Sequence, residues 1–254
     1  MRRTLAGRTI LVTRPAEQAA PLVRELERRG ARVLVAPTIR LMPARSAALT
    51  AALKELAAGR FDWITLTSAA TVDVLRDRLS SSREVRAHVA VIGEGTAAAF
   101  RRWAGRDPDT QPTTFTTAAL ARAFPRGSGR VLCARADIAP EGLEDALARK
   151  GWETVRVDAY RTVFATSLPP DAREGLGRRE VDAVTFTSAS TVRGFVNARG
   201  SEATPGPSSG PPKVVCIGPV TAAAARDAGL RPAAVAKPHT LEGLVAALER
   251  ALPS

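Results

Sequence analysis

Cysteine and histidine are nearly missing from this chain of 254 residues: it has two of each, Cys133, Cys216, His88 and His239. Each cysteine lies in an apolar run, Val131-Leu132-Cys133-Ala134 and Val214-Val215-Cys216-Ile217, and reads as a small core residue of a reducing compartment. Neither histidine has ligand spacing around it, which argues against a metal site or a histidine-based triad. Lysine is also scarce, with only Lys54, Lys150, Lys213 and Lys237, so the formal charge of +12, from 37 basic against 25 acidic residues, is almost all arginine. That excess points to a polyanionic partner, either nucleic acid or a smaller molecule crowded with carboxylates or phosphates, or else to the composition of the source genome. Aromatic residues reach only 4%, too few for base stacking, and no recognition motif stands out, so no nucleic acid is expected. No apolar run approaches the roughly 18–20 residues of a membrane span. Arg2-Arg3 would suit a twin-arginine signal, but Gly7-Arg8 interrupts the apolar stretch that should follow. The expectation is a cytoplasmic protein without membrane contact.

What is present is a repeat. Thr65-Leu-Thr-Ser-Ala-Ala-Thr-Val72 returns as Thr185-Phe-Thr-Ser-Ala-Ser-Thr-Val192, and Ile92-Gly-Glu-Gly-Thr-Ala-Ala-Ala99 as Ile217-Gly-Pro-Val-Thr-Ala-Ala-Ala224, six of eight positions matching in each pair. The offsets, 120 and 125 residues, imply one duplicated unit with a small insertion. Weaker echoes pair Gly7-Arg-Thr-Ile-Leu-Val-Thr-Arg14 with Gly129-Arg-Val-Leu-Cys-Ala-Arg135, Gly30 with Gly151, and Thr116 and Leu120 with Thr240 and Leu244. Residues 7–127 and 129–254 therefore read as two copies. The breaker-rich stretch from Gly200 to Pro212 reads as a mobile loop inserted in the second.

Each copy alternates short apolar runs with longer amphipathic segments. Thr9–Thr13, Val33–Val35, Trp63–Leu66 and Ala90–Ile92 predict strands, as do segments near 130–134, 154–157, 182–186 and 214–217. Helices are predicted over Ala16–Arg29, ending at Gly30, and near Ala69–Leu79, Thr96–Trp103 and Ala118–Phe124. Apolar strands alternating with helices mean parallel sheets covered on both faces. Two doubly wound α/β domains are expected.

In such sheets ligands collect where strands end and helices begin, because the first amides of a helix lack partners and its dipole favours negative charge. Both repeated motifs fall there: Thr67-Ser68 and Thr187-Ser188, and Gly93-Glu94-Gly95-Thr96 and Gly218-Pro219-Val220-Thr221. Taken singly, the hydroxyls cap a helix or bond a ligand, and the glycines turn the chain or approach one. Neither copy has a G-x-G-x-x-G fingerprint or a P-loop lysine. Four junctions of one design favour the binding reading: two such sheets facing each other would ring a cleft with helix N-termini suited to many carboxylates. Arg14 and Arg135, after the first strand of each copy, are the charged candidates, or else solvated surface arginines. Tyr160 is the only tyrosine, and Glu94 has no partner carboxylate that sequence places.

The segments Ile10-Leu-Val-Thr-Arg-Pro15, Phe61-Asp-Trp-Ile-Thr-Leu-Thr-Ser68, Val91-Ile-Gly-Glu-Gly-Thr96, Asp158-Ala-Tyr-Arg-Thr162, Thr185-Phe-Thr-Ser188 and Ile217-Gly-Pro-Val-Thr221 stand in this order, and the chain from Gly7 to Leu252 resembles the uroporphyrinogen-III synthases. The resemblance implies two flavodoxin-like α/β domains joined by a two-stranded linker. Residues 1–38 plus 163–254 would form one and 41–160 the other, with hinge crossings at 39–40 and 161–162. It implies a cyclising hydro-lyase of tetrapyrrole (haem, sirohaem, cobalamin) biosynthesis that closes hydroxymethylbilane, a polycarboxylate linear tetrapyrrole, with loss of water and inversion of the last pyrrole ring. Tyr160 matches the family's proton donor. Thr96 and Thr221, with Ser68 and Ser188, match positions lining its cleft, and Thr13, Arg14, Thr67, Gly93, Arg135, Thr187 and Gly218 complete the expected substrate contacts. The resemblance implies no metal, nucleotide or flavin, and a monomer that meets neighbouring pathway enzymes at most transiently. The other expectation from these two α/β copies is a small-molecule-binding or sensor protein without catalysis.

Overall fold

The computed structural model describes residues 4–200 and 211–253. The expected loop Gly200–Pro212 therefore lies mostly outside the described residues. The first copy runs β1 (Thr9–Val12), α1 (Ala16–Arg28), β2 (Arg32–Val35), β3 (Ile39–Pro43), α2 (Ala47–Ala57), β4 (Trp63–Leu66), α3 (Ala69–Arg78), β5 (His88–Val91), α4 (Glu94–Ala104) and α5 (Thr117–Ala123). The second runs β6 (Arg130–Ala136), α6 (Leu143–Ala148), β7 (Glu153–Phe164), α7 (Pro170–Gly177), β8 (Ala183–Phe186), α8 (Ala189–Arg199), β9 (Lys213–Cys216), α9 (Pro219–Asp227), β10 (Pro232–Val235) and α10 (Leu241–Ala251). The mixed α/β class with parallel sheets agrees with the alternation of the sequence.

The chain divides into two compact units, Met1–Arg40 with Val163–Ser254, and Leu41–Thr162. The sheet of the first unit has the order β10-β9-β8-β1-β2, and that of the second β3-β7-β6-β4-β5. Both draw on both copies, because β1 lies parallel to β8, and β6 parallel to β4.

Strands β1, β4 and β8 are buried along their whole length because helices cover both faces. Alternate residues supply the two faces. In the first unit Ile10 and Val12 pack with Leu22, Leu26, Leu244 and Leu248, while Leu11 joins Leu34, Val184, Phe186 and Phe195. In the second unit Ile64, Leu66, Leu132 and Ala134 face Leu49, Leu53, Leu75 and Phe100, whereas Trp63, Val131 and Cys133 face Leu120, Phe124, Leu147 and Trp152. Both cysteines are free and buried. Burial pushes each thiol up to about 11, so neither is a nucleophile at neutral pH.

Two helices differ from the sequence reading, which marked no element over α2 or α7. The alanines of α2 spread apolar character around the helix instead of sharpening one face, and α7 contains Pro170, Gly175 and Gly177 in eight residues.

Candidate active site

In the second unit β7 lies between β3 and the central strand β6. Its register against β6 pairs Arg135 with Asp158 and then Ala136 with Tyr160, leaving Ala159 as an extra residue. This bulge breaks the alternation of the strand: Ala159 and Tyr160 are both buried, between exposed Asp158 and Arg161. Tyr160 is thereby turned inward at 7% exposure, among the core residues of this unit. The backbone at the bulge is tied down, since the Asp137 N–H donates to the Tyr160 carbonyl at 3.0 Å and the Asp137 carboxylate accepts from the amides of Ile138 and Thr162 at 2.9 and 3.0 Å.

Burial is the largest influence on the Tyr160 phenol and holds it above its ordinary value; the Asp137 charge acts the same way, while hydrogen bonding with Ser68 and the Arg135 charge oppose them. The phenol is therefore protonated at neutral pH and is a hydrogen-bond and proton donor. Ser68 caps α3, its hydroxyl accepting from the Ala70 amide at 3.2 Å. The fold thus brings Tyr160 and Ser68 together within one unit, while Arg135, after Ala134 on β6, turns to the other face of the sheet with Cys133 and α6. Thr67 is half-buried beside the cap, and Thr96 is buried in the first turn of α4. Gly93 precedes α4 with extended backbone and no side-chain cap, so the first amides of that helix are left to other partners.

Arg135, expected beside Arg14 as a substrate contact, is instead enclosed at 1% exposure. Its Nη1 donates to both Glu144 carboxylate oxygens, at 3.0 and 3.1 Å, and to the Pro140 carbonyl at 2.8 Å. Its charge is balanced within the unit. Glu144 was missed by sequence reasoning, because it stands nine residues beyond Arg135 and meets it only when the short α6 folds back.

In the first unit the equivalent junctions are differently occupied. Thr13 is fully buried and its hydroxyl donates to the Thr185 carbonyl at 2.7 Å, tying β1 to β8. Arg14 donates from Nη2 to the Gln18 amide oxygen at 3.3 Å, and its buried Nε has no acceptor. Burial without a counter-charge lowers its guanidinium from the usual value. Ser188 closes a capping box with Thr191, at 3.1 Å from hydroxyl to the Thr191 amide, with Thr187 half-buried beside it. Gly218 precedes α9, again in extended backbone without a side-chain cap, and Thr221 is buried in the first turn. No helix among the described residues is long and apolar enough to cross a membrane.

The family model described as uroporphyrinogen-III synthase HemD matches residues 20–246. A uroporphyrinogen-III synthase of Synechococcus elongatus is 31% identical over 256 residues, covering 97% of this chain and 96% of that protein. The chloroplastic uroporphyrinogen-III synthase of Oryza sativa is 26% identical, covering 96% of this chain and 80% of its own. Among solved structures, a mutant uroporphyrinogen III synthase from Thermus thermophilus superposes with a TM-score of 0.64 at 22% identity, over 96% of this chain and 98% of the other. The fold, the paired junctions and these matches together establish that the chain belongs to the uroporphyrinogen-III synthase family.

Proposed function

We propose that this chain closes hydroxymethylbilane to uroporphyrinogen III with loss of water, as a cyclising hydro-lyase without metal or organic cofactor. The observation that carries the catalytic assignment is the bulged strand that buries a single protonated phenol, Tyr160, beside the capped start of α3. The terminal hydroxymethyl C–O bond of the substrate breaks, and the oxygen leaves as water with the proton that Tyr160 offers. The resulting azafulvene carbon is attacked by the substituted carbon of the last pyrrole ring. The spiro intermediate fragments and recloses with that ring inverted, and the proton released as the pyrrole regains aromaticity returns to the phenolate. The pyrroles supply the electrons, and the protein holds the reacting ends in the geometry that gives the inverted isomer.

Substrate carboxylates are assigned to the uncapped amides before α4 and α9, at Gly93 and Gly218, to the hydroxyls of Thr67, Thr96, Thr187 and Thr221, and to Arg14. Ser68 and Ser188 set the helix starts that present these groups, and Thr13 holds the strand before Arg14. The reading includes a monomer acting in the cytoplasm. Incubation with fresh hydroxymethylbilane followed by isomer analysis tests it. The type III isomer is expected; formation of the type I isomer alone, the product of spontaneous closure, would refute the assignment.

A further inference from the structure

Asp137 has no part in the steps above, yet its carboxylate reaches across to the strand that carries the proposed proton donor. We infer that Asp137 is a positioning residue whose carboxylate fixes the bulge of β7 and thereby the placement of the Tyr160 phenol. The inference rests on the catalytic role proposed for Tyr160.

The ladder shows what the carboxylate replaces. Bonds in a parallel pair are evenly spaced, so each one places the next. Strand β6 ends at Ala136, which pairs with Tyr160, and the Asp137 amide closes that pair by donating to the Tyr160 carbonyl at 3.0 Å. The following bond would run from the Thr162 amide to the Asp137 carbonyl. That amide donates instead to Asp137 Oδ1 at 3.0 Å, and the same oxygen accepts from the Ile138 amide at 2.9 Å. The side chain carries the ladder one step beyond β6 while the main chain turns away, the Ala139 amide donating to the Ala136 carbonyl at 3.0 Å.

The place of this extra step gives it a consequence for the phenol. A bulge disrupts the ladder locally, so the residues just past it depend on whatever bonds remain. Here the Ala159 carbonyl accepts from the Ala44 amide at 2.9 Å, and on the other side the amide and carboxylate of Asp137 grip β7 at Tyr160 and at Thr162, the last residue of the unit. A slip of one residue would turn Tyr160 from the core beside Ser68 to the opposite face of the sheet. Charge-assisted bonds to amides are strong, which suits a carboxylate to this task. Its charge, however, disfavours a negative phenol oxygen, as burial does. The acceptor oxygen and the charge of Asp137 therefore act on the proton donor in opposite senses, and substitutions can separate them.

Tyr160 is the only tyrosine, so in protein carrying ring-labelled tyrosine a single NMR signal reports this group and needs no substrate. Asp137→Asn keeps the acceptor oxygen and removes the charge: the signal should stay single and sharp, the phenol should titrate at lower pH, and most of the wild-type kcat should remain. Asp137→Ala removes both: the signal should broaden or split, and kcat should fall by up to about 10²-fold, the cost of misplacing a reacting group by about 1 Å, with KM little changed. Asp137→Glu keeps the charge but carries the oxygens one methylene farther, and its kcat should fall between the two. Wild-type kcat in Asp137→Ala, a loss confined to KM, or Asp137→Asn as slow as Asp137→Ala would overturn the inference. If Asp137→Ala does not fold, the other two variants decide: Asp137→Asn faster than Asp137→Glu supports the inference, and the same or the reverse order overturns it. Failure of the catalytic role looks different, because Tyr160→Phe would then turn over normally while the tyrosine signal still responded to Asp137→Ala.

Discussion

Arg14 and Arg135 follow the first strand of their respective copies, and the two surroundings have parted. Arg135 meets an acid and a carbonyl and is sealed from solvent, while Arg14 meets one neutral amide oxygen and keeps a buried Nε without an acceptor. The strands that follow differ in the same sense. At the end of the βαβ in the first copy stands Thr38, whose hydroxyl donates to the carbonyls of Thr13 and Thr191 at 3.2 and 2.9 Å. At the corresponding place in the second copy stands Ala159, and the next residue is Tyr160, hydrogen bonded with Ser68. The first copy uses this stretch to fasten backbone, and the second places a protonated phenol in it, the proton donor of the proposed reaction. Duplication supplied two similar frames; the proposed function puts the proton donor in the frame with the balanced buried cation and assigns the unbalanced one to a substrate carboxylate.

The largest effect that would break this comparison is at the phenol. Tyr160→Phe should lower kcat about 10²–10⁴-fold, the usual range for loss of a general acid, with KM changed little, as steady-state kinetics with hydroxymethylbilane will show. The reciprocal frame fails through packing. A Cβ at Gly194 would lie 2.2 Å from the Thr38 carbonyl oxygen, a backbone atom that cannot step aside, whereas at Gly95 it would meet nothing within 4 Å. Gly194→Ala should therefore destabilise by about 1–3 kcal/mol and Gly95→Ala should be neutral or slightly stabilising, a contrast that thermal unfolding of the two variants checks.

Much of this was legible in the sequence. Runs such as Trp63–Leu66 are short, branched and closed by Thr-Ser, so strand, junction and helix start are all encoded locally, and the parallel α/β class follows. Ser68 and Ser188 emerge as caps because capping chemistry is also local. The bulge at Ala159 was not legible, since a one-residue slip leaves the composition of the strand unchanged and shows only when β6 is laid beside it. Nor was the enclosure of Arg135: an arginine after a strand reads the same whether it ends in water or against Glu144. Glu94 likewise gave no sign that Arg101, two turns along α4, reaches back to it at 3.0 Å.

The two arginines sharpen the comparison in ligand terms. Arg14→Gln should raise KM for hydroxymethylbilane about tenfold, roughly 1.4 kcal/mol, with kcat little altered, whereas Arg135→Gln leaves Glu144 without its buried partner and should show as lost stability in thermal unfolding. Equal rises in KM at both positions, with no loss of stability at Arg135, would erase the distinction between an arginine that receives an anion and one spent on the core of its own unit.

The smallest effect concerns the helix starts. The α4 junction carries Glu94 in its first turn where α9 carries Pro219, so only one of the two equivalent N-termini is already faced by a carboxylate. Hydrogen bonding to Arg101 holds the Glu94 carboxyl below its ordinary value, with a smaller contribution from Gln111, against a modest opposing effect of burial. Because the folded-state value is depressed, the stabilisation is present above the unfolded carboxylate value near 4.5 and disappears as pH falls through the lower folded one. The side chain is 43% exposed, so solvent screens the pair and Glu94→Gln should cost less than about 1 kcal/mol. In denaturant titrations the gap between wild type and variant should be constant near neutrality and close in acid. A gap that widened as pH fell would mean that Glu94 is not held by Arg101, and the α4 start would then differ from that of α9 in its residue alone and not in its charge balance.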